Sequence, residues 1–158
     1  MSIEKVRAFF AAQGMEERIL EFPVSSATVE LAAQALGCEG KRIVKTLSFG
    51  VNGEPILICA AGDAKVDNAK FKARFGVKAK MLSYDDAASL IGHAVGGVCP
   101  FAVNEGVRVY LDESLKRFGT VFPACGSSNS AIELTIPELE RYSGFECWID
   151  VCKLPAAE

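Results

Sequence analysis

The sequence predicts an α/β domain of the mixed α+β kind, with short helices around a mixed and largely antiparallel sheet. Three observations carry this expectation. Short runs with helical periodicity alternate along the chain with β-rich runs. Two of the β-rich runs, RIVKTLSFGV and PILICAA, flank Asn52-Gly53, a pair that favours positive φ and so marks a tight antiparallel hairpin. The chain has 158 residues at 50% hydrophobic content, which suits one core, so a single domain over 1–158 is expected.

Each element has its own signal. IEKVRAFFAAQG places apolar residues at 3, 6, 9 and 10 and stops at Gln13-Gly14, an amphipathic helix with a glycine end. RILEF (18–22) alternates and meets Pro23, a short strand. Ser26 is the expected cap of a helix from about Thr28 to Leu36, closed by Gly37. After the hairpin, Asp67 caps a helix to Phe75, ended by Gly76, and KAKML reads as a short strand. YDDAASLIG is a helix, VRVYL a strand and DESLKRF a helical turn. TVFPAC and SAIEL are strands, IPELERYSG is a helix with Pro137 at its start, and ECWIDV is a last strand.

Several function classes fall away. The longest apolar runs fall far short of the roughly 20 residues of a membrane span, and MSIEKVRAFF lacks the layout of a secretory signal. A cytosolic protein without a membrane partner is expected. The six cysteines contain no CxxC and the chain has one histidine, so neither zinc spacing nor any other metal site is expected. The thiols read as buried and reduced. GVNGEP and GHAVGG do not match a dinucleotide fingerprint in context, and no cofactor is expected.

The net charge of −3 argues against a nucleic-acid partner, but the charge is uneven. Residues 1–80 carry 12 Lys/Arg against 9 Asp/Glu, and 81–158 carry 5 against 11. KVDNAKFKARFGVKAK (65–80) holds six basic residues opposed by Asp67 alone. It reads either as a solvated helix face or as a phosphate-facing patch.

Three places suit chemistry. On period two, Lys45 shares a strand face with Ile43 and Leu47, opposite Val44, Thr46 and Ser48. An ammonium on an apolar face needs an anion, supplied by a ligand or by a protein carboxylate. The loop CGSSNSA (125–131) is either an ordinary polar turn or a set of donors for an oxygen anion. GHAVGGVCPFAV (92–103) gathers His93, Gly96, Gly97, Cys99 and Pro100. A Cys99/His93 dyad is one reading. The preferred one is a pocket wall of backbone, with glycines allowing close approach, Pro100 fixing the turn and His93 bracing it.

Taken in order, SSATVELAAQALG, IVKTLSF, AAGDAKVDNAK, GHAVGGVCPF, VYLDESL and CGSSNSAIEL resemble the YbaK/ProX family over nearly the whole chain. These are free-standing aminoacyl-tRNA deacylases related to the editing insertion of bacterial prolyl-tRNA synthetases. The resemblance implies hydrolysis of the ester of a mischarged tRNA bearing a small amino acid, in a small pocket, with water as nucleophile, assistance from the substrate and no metal. It implies that Lys45 meets the terminal adenosine and its phosphate, while Gly97 and Gly126 supply the catalytic backbone of two pocket walls. Gly96, Cys99, Pro100, Ser127, Ser128, Asn129 and Ser130 are then substrate-binding. Lys41, Arg42, Lys65, Lys70, Lys72 and Arg74 become tRNA-backbone contacts, and a synthetase or elongation factor becomes a candidate for delivering substrate. Ala131 stands where some relatives carry Asp or His. The competing reading is therefore a non-catalytic aminoacyl-tRNA or nucleotide-binding module of the same fold.

Overall fold

A computed structural model describes residues 2–26, 28–94 and 96–155. In chain order the elements are α1 (Ser2–Ala11), β1 (Ile19–Glu21), α2 (Val29–Leu36), β2 (Val44–Val51), β3 (Glu54–Ala61), β4 (Lys65–Val66), α3 (Asn68–Phe75) and α4 (Tyr84–Asp86). They continue with β5 (Arg108–Asp112), β6 (Thr120–Val121), β7 (Ser130–Ile132), β8 (Leu134–Thr135), α5 (Ile136–Ser143), β9 (Trp148–Ile149) and β10 (Cys152–Lys153). Among the described residues no helix is long and apolar enough to cross a membrane.

The central sheet has the order β2-β3-β5-β9. β2 and β3 pair antiparallel about Asn52 and Gly53, at φ 51° and 82°, as the hairpin signal requires. β3–β5 and β5–β9 are parallel, so the sheet is mixed. The rest of the antiparallel pairing lies in three separate ladders, β1–β7, β4–β10 and β6–β8. β3 is buried from Ile56 to Ala61, which explains why PILICAA shows a continuous apolar run and no alternation.

Local chemistry sets the helix ends. Asp67 Oδ1 accepts from the amides of Ala69 and Lys70 at 3.0 and 3.1 Å and starts α3. α5 carries a capping box between Thr135 and Glu138. Arg18 donates to the same Glu138 carboxylate and holds it down at about 2.

Several expectations change. The cap of α2 is Thr28, the residue before its first turn, whose Oγ1 accepts from Leu31 N at 3.1 Å, while the amide and hydroxyl of Ser26 donate to Ser128 O. KAKML forms a single bridge, Met81 to Phe49, with no ladder. TVFPAC pairs with β8 only at Thr120–Val121, because Phe122 turns to a parallel bridge with Ile43. SAIEL divides at Glu133 into β7 and β8, which pair with different partners. YDDAASLIG begins as α4 and widens into a π-turn at Ala87–Ile91. ECWIDV pairs only at Trp148–Ile149, and the β4–β10 ladder had no signal, because two-residue strands carry no period.

Two aromatic clusters pin the segments around the sheet. Phe101 stacks edge-on against Phe10, with centroids 4.9 Å apart, beside Phe9 and Tyr142. Phe49, Phe71, Phe75 and Tyr110 form the other cluster. Immediately after Phe101, Ala102 sits at φ 51°, a left-handed conformation that costs a Cβ-bearing residue about 1–2 kcal/mol. Ala102→Gly is expected to raise unfolding free energy by up to about 1 kcal/mol, the gain being reduced by glycine's freedom in the unfolded chain. Urea denaturation of the two proteins checks this.

Candidate functional site

The cavity opens beside β2 and has a volume of about 230 Å³. β2 and the residue before it provide one wall, from Ile43 to Ser48. The entry and first turns of α2 provide a second, through Ser26, Thr28, Val29 and Ala32. Met81, Gly96 and Val98 close one side, and Phe122, Ala124, Ser130 and Ala131 close another. A small apolar cluster of Ala32, Ile43 and Phe122 seats α2 against the strand.

Lys45 is half-buried in this wall, and its ammonium makes no hydrogen bond or ion pair among the described residues. Burial pulls it below the usual lysine range, partly offset by Cys152, Asp63 and Glu30. Its strand face is buried at both ends, by Ile43 and Phe49, while Lys45 and Leu47 between them stay partly open to the cavity; Val44 and Ser48 are buried on the other face.

The two glycine-bearing loops meet backbone to backbone. A Cβ built on Gly97 would lie 2.7 Å from Gly126 C and 2.8 Å from Ser127 N, so only glycine permits this approach. Neither Gly97 nor Gly126 lines the cavity itself; their neighbours Gly96, Val98 and Ala124 do. The amide of Gly97 is taken by Ala94 O at 3.0 Å, which removes it as a donor to a ligand. The hydrogen bonds among the described residues leave the amides of Gly96 and Val98 unused.

Within the second loop Ser130 and Ala131 reach the cavity. Ser127 Oγ bonds Asn129 Oδ1 and Ser130 Oγ at 2.9 and 2.7 Å, and Asn129 Nδ2 donates to Phe22 O at 2.9 Å. Ser128 O anchors Ser26. Ser127, Ser128 and Asn129 thus shape the loop and tie it to the β1–α2 connection; they do not line the space.

His93 and Cys99 are both wholly buried, with Cys99 Sγ 3.6 Å from His93 Nε2. Proximity does not make them a nucleophilic pair. Nε2 lies 2.7 Å from Phe101 O, an acceptor only, so this nitrogen carries the proton. Nδ1 is buried without a hydrogen-bond partner among the described residues. Burial pushes the Cys99 thiol up to about 12 and pulls the imidazole down. Cys99 and Pro100 are core residues behind the wall, not lining residues, which corrects the expectation that they touch substrate.

The basic residues also separate. Arg42 donates to Thr120 O and Glu133 and lies over Phe122 at 5.0 Å. Lys70 bonds Asp150 and Cys152 O at 3.0 and 2.9 Å, and Arg74 lies over Phe75 and Tyr110. These three are spent within the fold, whereas they were expected on tRNA. Lys41 pairs with Glu39 at 3.2 Å, while Lys65 and Lys72 are exposed.

Sequence reasoning did not single out the α2 wall, Leu47, Met81, Val98, Phe122 or Ala124. Its available signal is the SSATVELAAQALG block, in which Ser26 reads as a helix cap. Among the described residues no group of three His, Cys, Asp or Glu is placed to hold a metal ion. The cavity lining contains no carboxylate and no imidazole.

A family model described as the aminoacyl-tRNA editing domain matches residues 24–142, which include every lining residue of the cavity. The chain belongs to this editing-domain family. The editing domain is 54% identical over 154 residues to the uncharacterized protein YwhH of Bacillus subtilis (strain 168), covering 97% of this chain and 98% of that protein. It is 26% identical over 142 residues to a proline–tRNA ligase of Nitratidesulfovibrio vulgaris, covering 89% of this chain but only 24% of the ligase. Among solved structures it matches a proposed trans-editing enzyme for prolyl tRNA synthetase with a TM-score of 0.85 at 29% identity, covering 96% and 97% of the two chains. The mixed α/β architecture is thus that of the trans-editing fold.

Proposed function

We propose that this editing domain is a trans-editing deacylase that hydrolyses the ester of a mischarged tRNA carrying a small amino acid. The observation that carries the reading is the half-buried, unpartnered Lys45 on a cavity of about 230 Å³. That volume lies below the roughly 300–1,000 Å³ of pockets that enclose a drug-sized ligand. It suits an aminoacyl group such as Ala, Ser, Thr or Cys, while the terminal nucleotide lies outside against Lys45. An ammonium in this setting offers an anionic phosphate a charge-assisted hydrogen bond.

Water adds to the ester carbonyl, giving a tetrahedral oxyanion that the unused amides of Gly96 and Val98 are suited to receive. The carbon–oxygen ester bond then breaks, the ribose oxygen leaves as a hydroxyl, and the free amino acid departs. With no carboxylate or imidazole in the lining, the water is placed by the substrate's own ribose hydroxyl or amino-acid side chain. Neither a metal nor a cofactor is required by this scheme.

A panel of mischarged tRNAs tests the reading. The relatives named for proline and its synthetase make tRNA for proline the first choice. Turnover above spontaneous hydrolysis is expected for at least one small amino acid. No turnover on any member, with binding retained, would establish instead the non-catalytic module that the missing side-chain base favours. At net charge −3 the domain holds tRNA weakly by itself. A synthetase or elongation factor that raises the rate at low tRNA concentration is the corresponding partner.

A further inference from the structure

The basic run 65–80 contributes one residue to an arrangement that sequence order hides. In the β4–β10 ladder Lys65 stands directly opposite Lys153. Side chains so paired project from one face with Cβ atoms about 4.5–5.5 Å apart, and like charges there are destabilising. Both lysines are exposed, and neither makes a hydrogen bond or ion pair among the described residues. The carboxylates nearby are already engaged. Asp63 is gripped by Arg117 at 2.5 and 3.0 Å, and Asp67, which feels the Lys153 charge, caps α3.

The pair is also close to the site. Lys65 and Lys153 line a groove of about 220 Å³ with Asp63, Leu154 and Pro155. The charge of Lys65 reaches Lys45, where it adds to the effect of burial on that ammonium. Three lysines from three strands therefore lie within electrostatic reach of the site, two of them held face to face. Lys153 lies beyond the 24–142 segment that the family model matches.

We infer that Lys65 and Lys153 form a phosphodiester clamp for the single-stranded 3′ end of tRNA, just before the terminal adenosine. A phosphate between two facing ammonium groups converts their repulsion into two charge-assisted contacts. The inference rests on the deacylase reading for the identity of the nucleic acid, and its test separates the two.

Binding of uncharged tRNA is measured by fluorescence anisotropy between 50 and 200 mM salt for wild type, Lys65→Gln, Lys153→Gln and the double variant. Neutralising one phosphate contact on a single strand reduces the slope of log K against log salt by about 0.7. Because the two lysines share one phosphate, the double variant is expected to lose about that much and each single variant a part of it. KM for a mischarged tRNA should rise several-fold with kcat little changed. Hydrolysis of the same amino acid esterified to adenosine alone, which lacks the upstream phosphates, should be unaltered. Lys116→Gln, whose ammonium sits over Trp148 and pairs with Glu113, should keep the wild-type slope.

A wild-type slope in the double variant overturns the clamp, as does undetectable salt-dependent binding by wild type. An equal loss on aminoacyl-adenosine overturns it too, because the effect would then lie in the pocket. Slope changes as expected with no ester hydrolysed by wild type would overturn the deacylase reading and leave the clamp standing.

Discussion

Lys45→Ala is expected to lower kcat/KM for deacylation by at least about 100-fold, the size of effect seen when a preorganised electrostatic partner is removed from an enclosed site. Among the described residues Lys45 is the one cation in the cavity lining, and no carboxylate is ion-paired with it. Its charge is therefore available to substrate, and alanine would leave an anionic phosphate beside an apolar wall. Cys99→Ser is expected to stay within about three-fold of wild type, because a thiol pushed up to about 12 and screened from the cavity has no thiolate to lose. Initial rates on a mischarged tRNA, with folding of each variant checked by circular dichroism, make the comparison. If Cys99→Ser is the inactive variant, the electrostatic reading is wrong and a thiol mechanism takes its place.

Gly97→Ala is expected to damage both stability and turnover. The new Cβ would meet Gly126 C, Ser127 N and Gly126 O at 2.7, 2.8 and 2.9 Å, all main-chain atoms that no rotamer change can move aside. One of the two loops must shift, at a cost of about 1–3 kcal/mol for an overpacked site. Gly96 and Val98, on either side, line the cavity, and Ser130 follows on the other loop. A displacement approaching 1 Å at such positions costs up to about 100-fold in rate. Gly119→Ala is the matched control, since nothing lies within 4 Å of its Cβ position. Thermal melts and deacylation rates on both variants decide it. A Gly97→Ala protein with wild-type melting and activity would show that the loop contact is dispensable.

Much of the fold was legible because its signals are local. Asn52-Gly53 selects its turn through the φ values of two residues, Asp67 caps α3 through its own side chain, and Gly76 ends it. Where an element depended on a partner, the reading failed. KAKML, read as a short strand, finds only Phe49 to bridge, and SAIEL is parted at Glu133 by two different partners. Thr28 and not Ser26 is the cap, because α2 starts at Val29 and Ser26 is turned to Ser128 O, more than one hundred positions away.

The candidate site divides in the same way. Lys45, Gly96 and Ser130 are both motif residues and lining residues. Cys99 is in the right stretch but faces the core, since residue type and spacing do not say which way a loop side chain turns. Arg42, Lys70 and Arg74 read as free charge in the sequence and are consumed by Glu133, Asp150 and an aromatic face.

By itself the sequence determined the hairpin, most helix ends, the family blocks and the unusual cation of β2, because turn preference, capping and period are properties of neighbouring residues. Only the tertiary structure decided that Gly97 must lie against Gly126, that His93 holds Phe101 and activates nothing, and that Lys65 faces Lys153. Those relations join residues far apart in the chain, and they follow from which backbone and charge the folded core brings together.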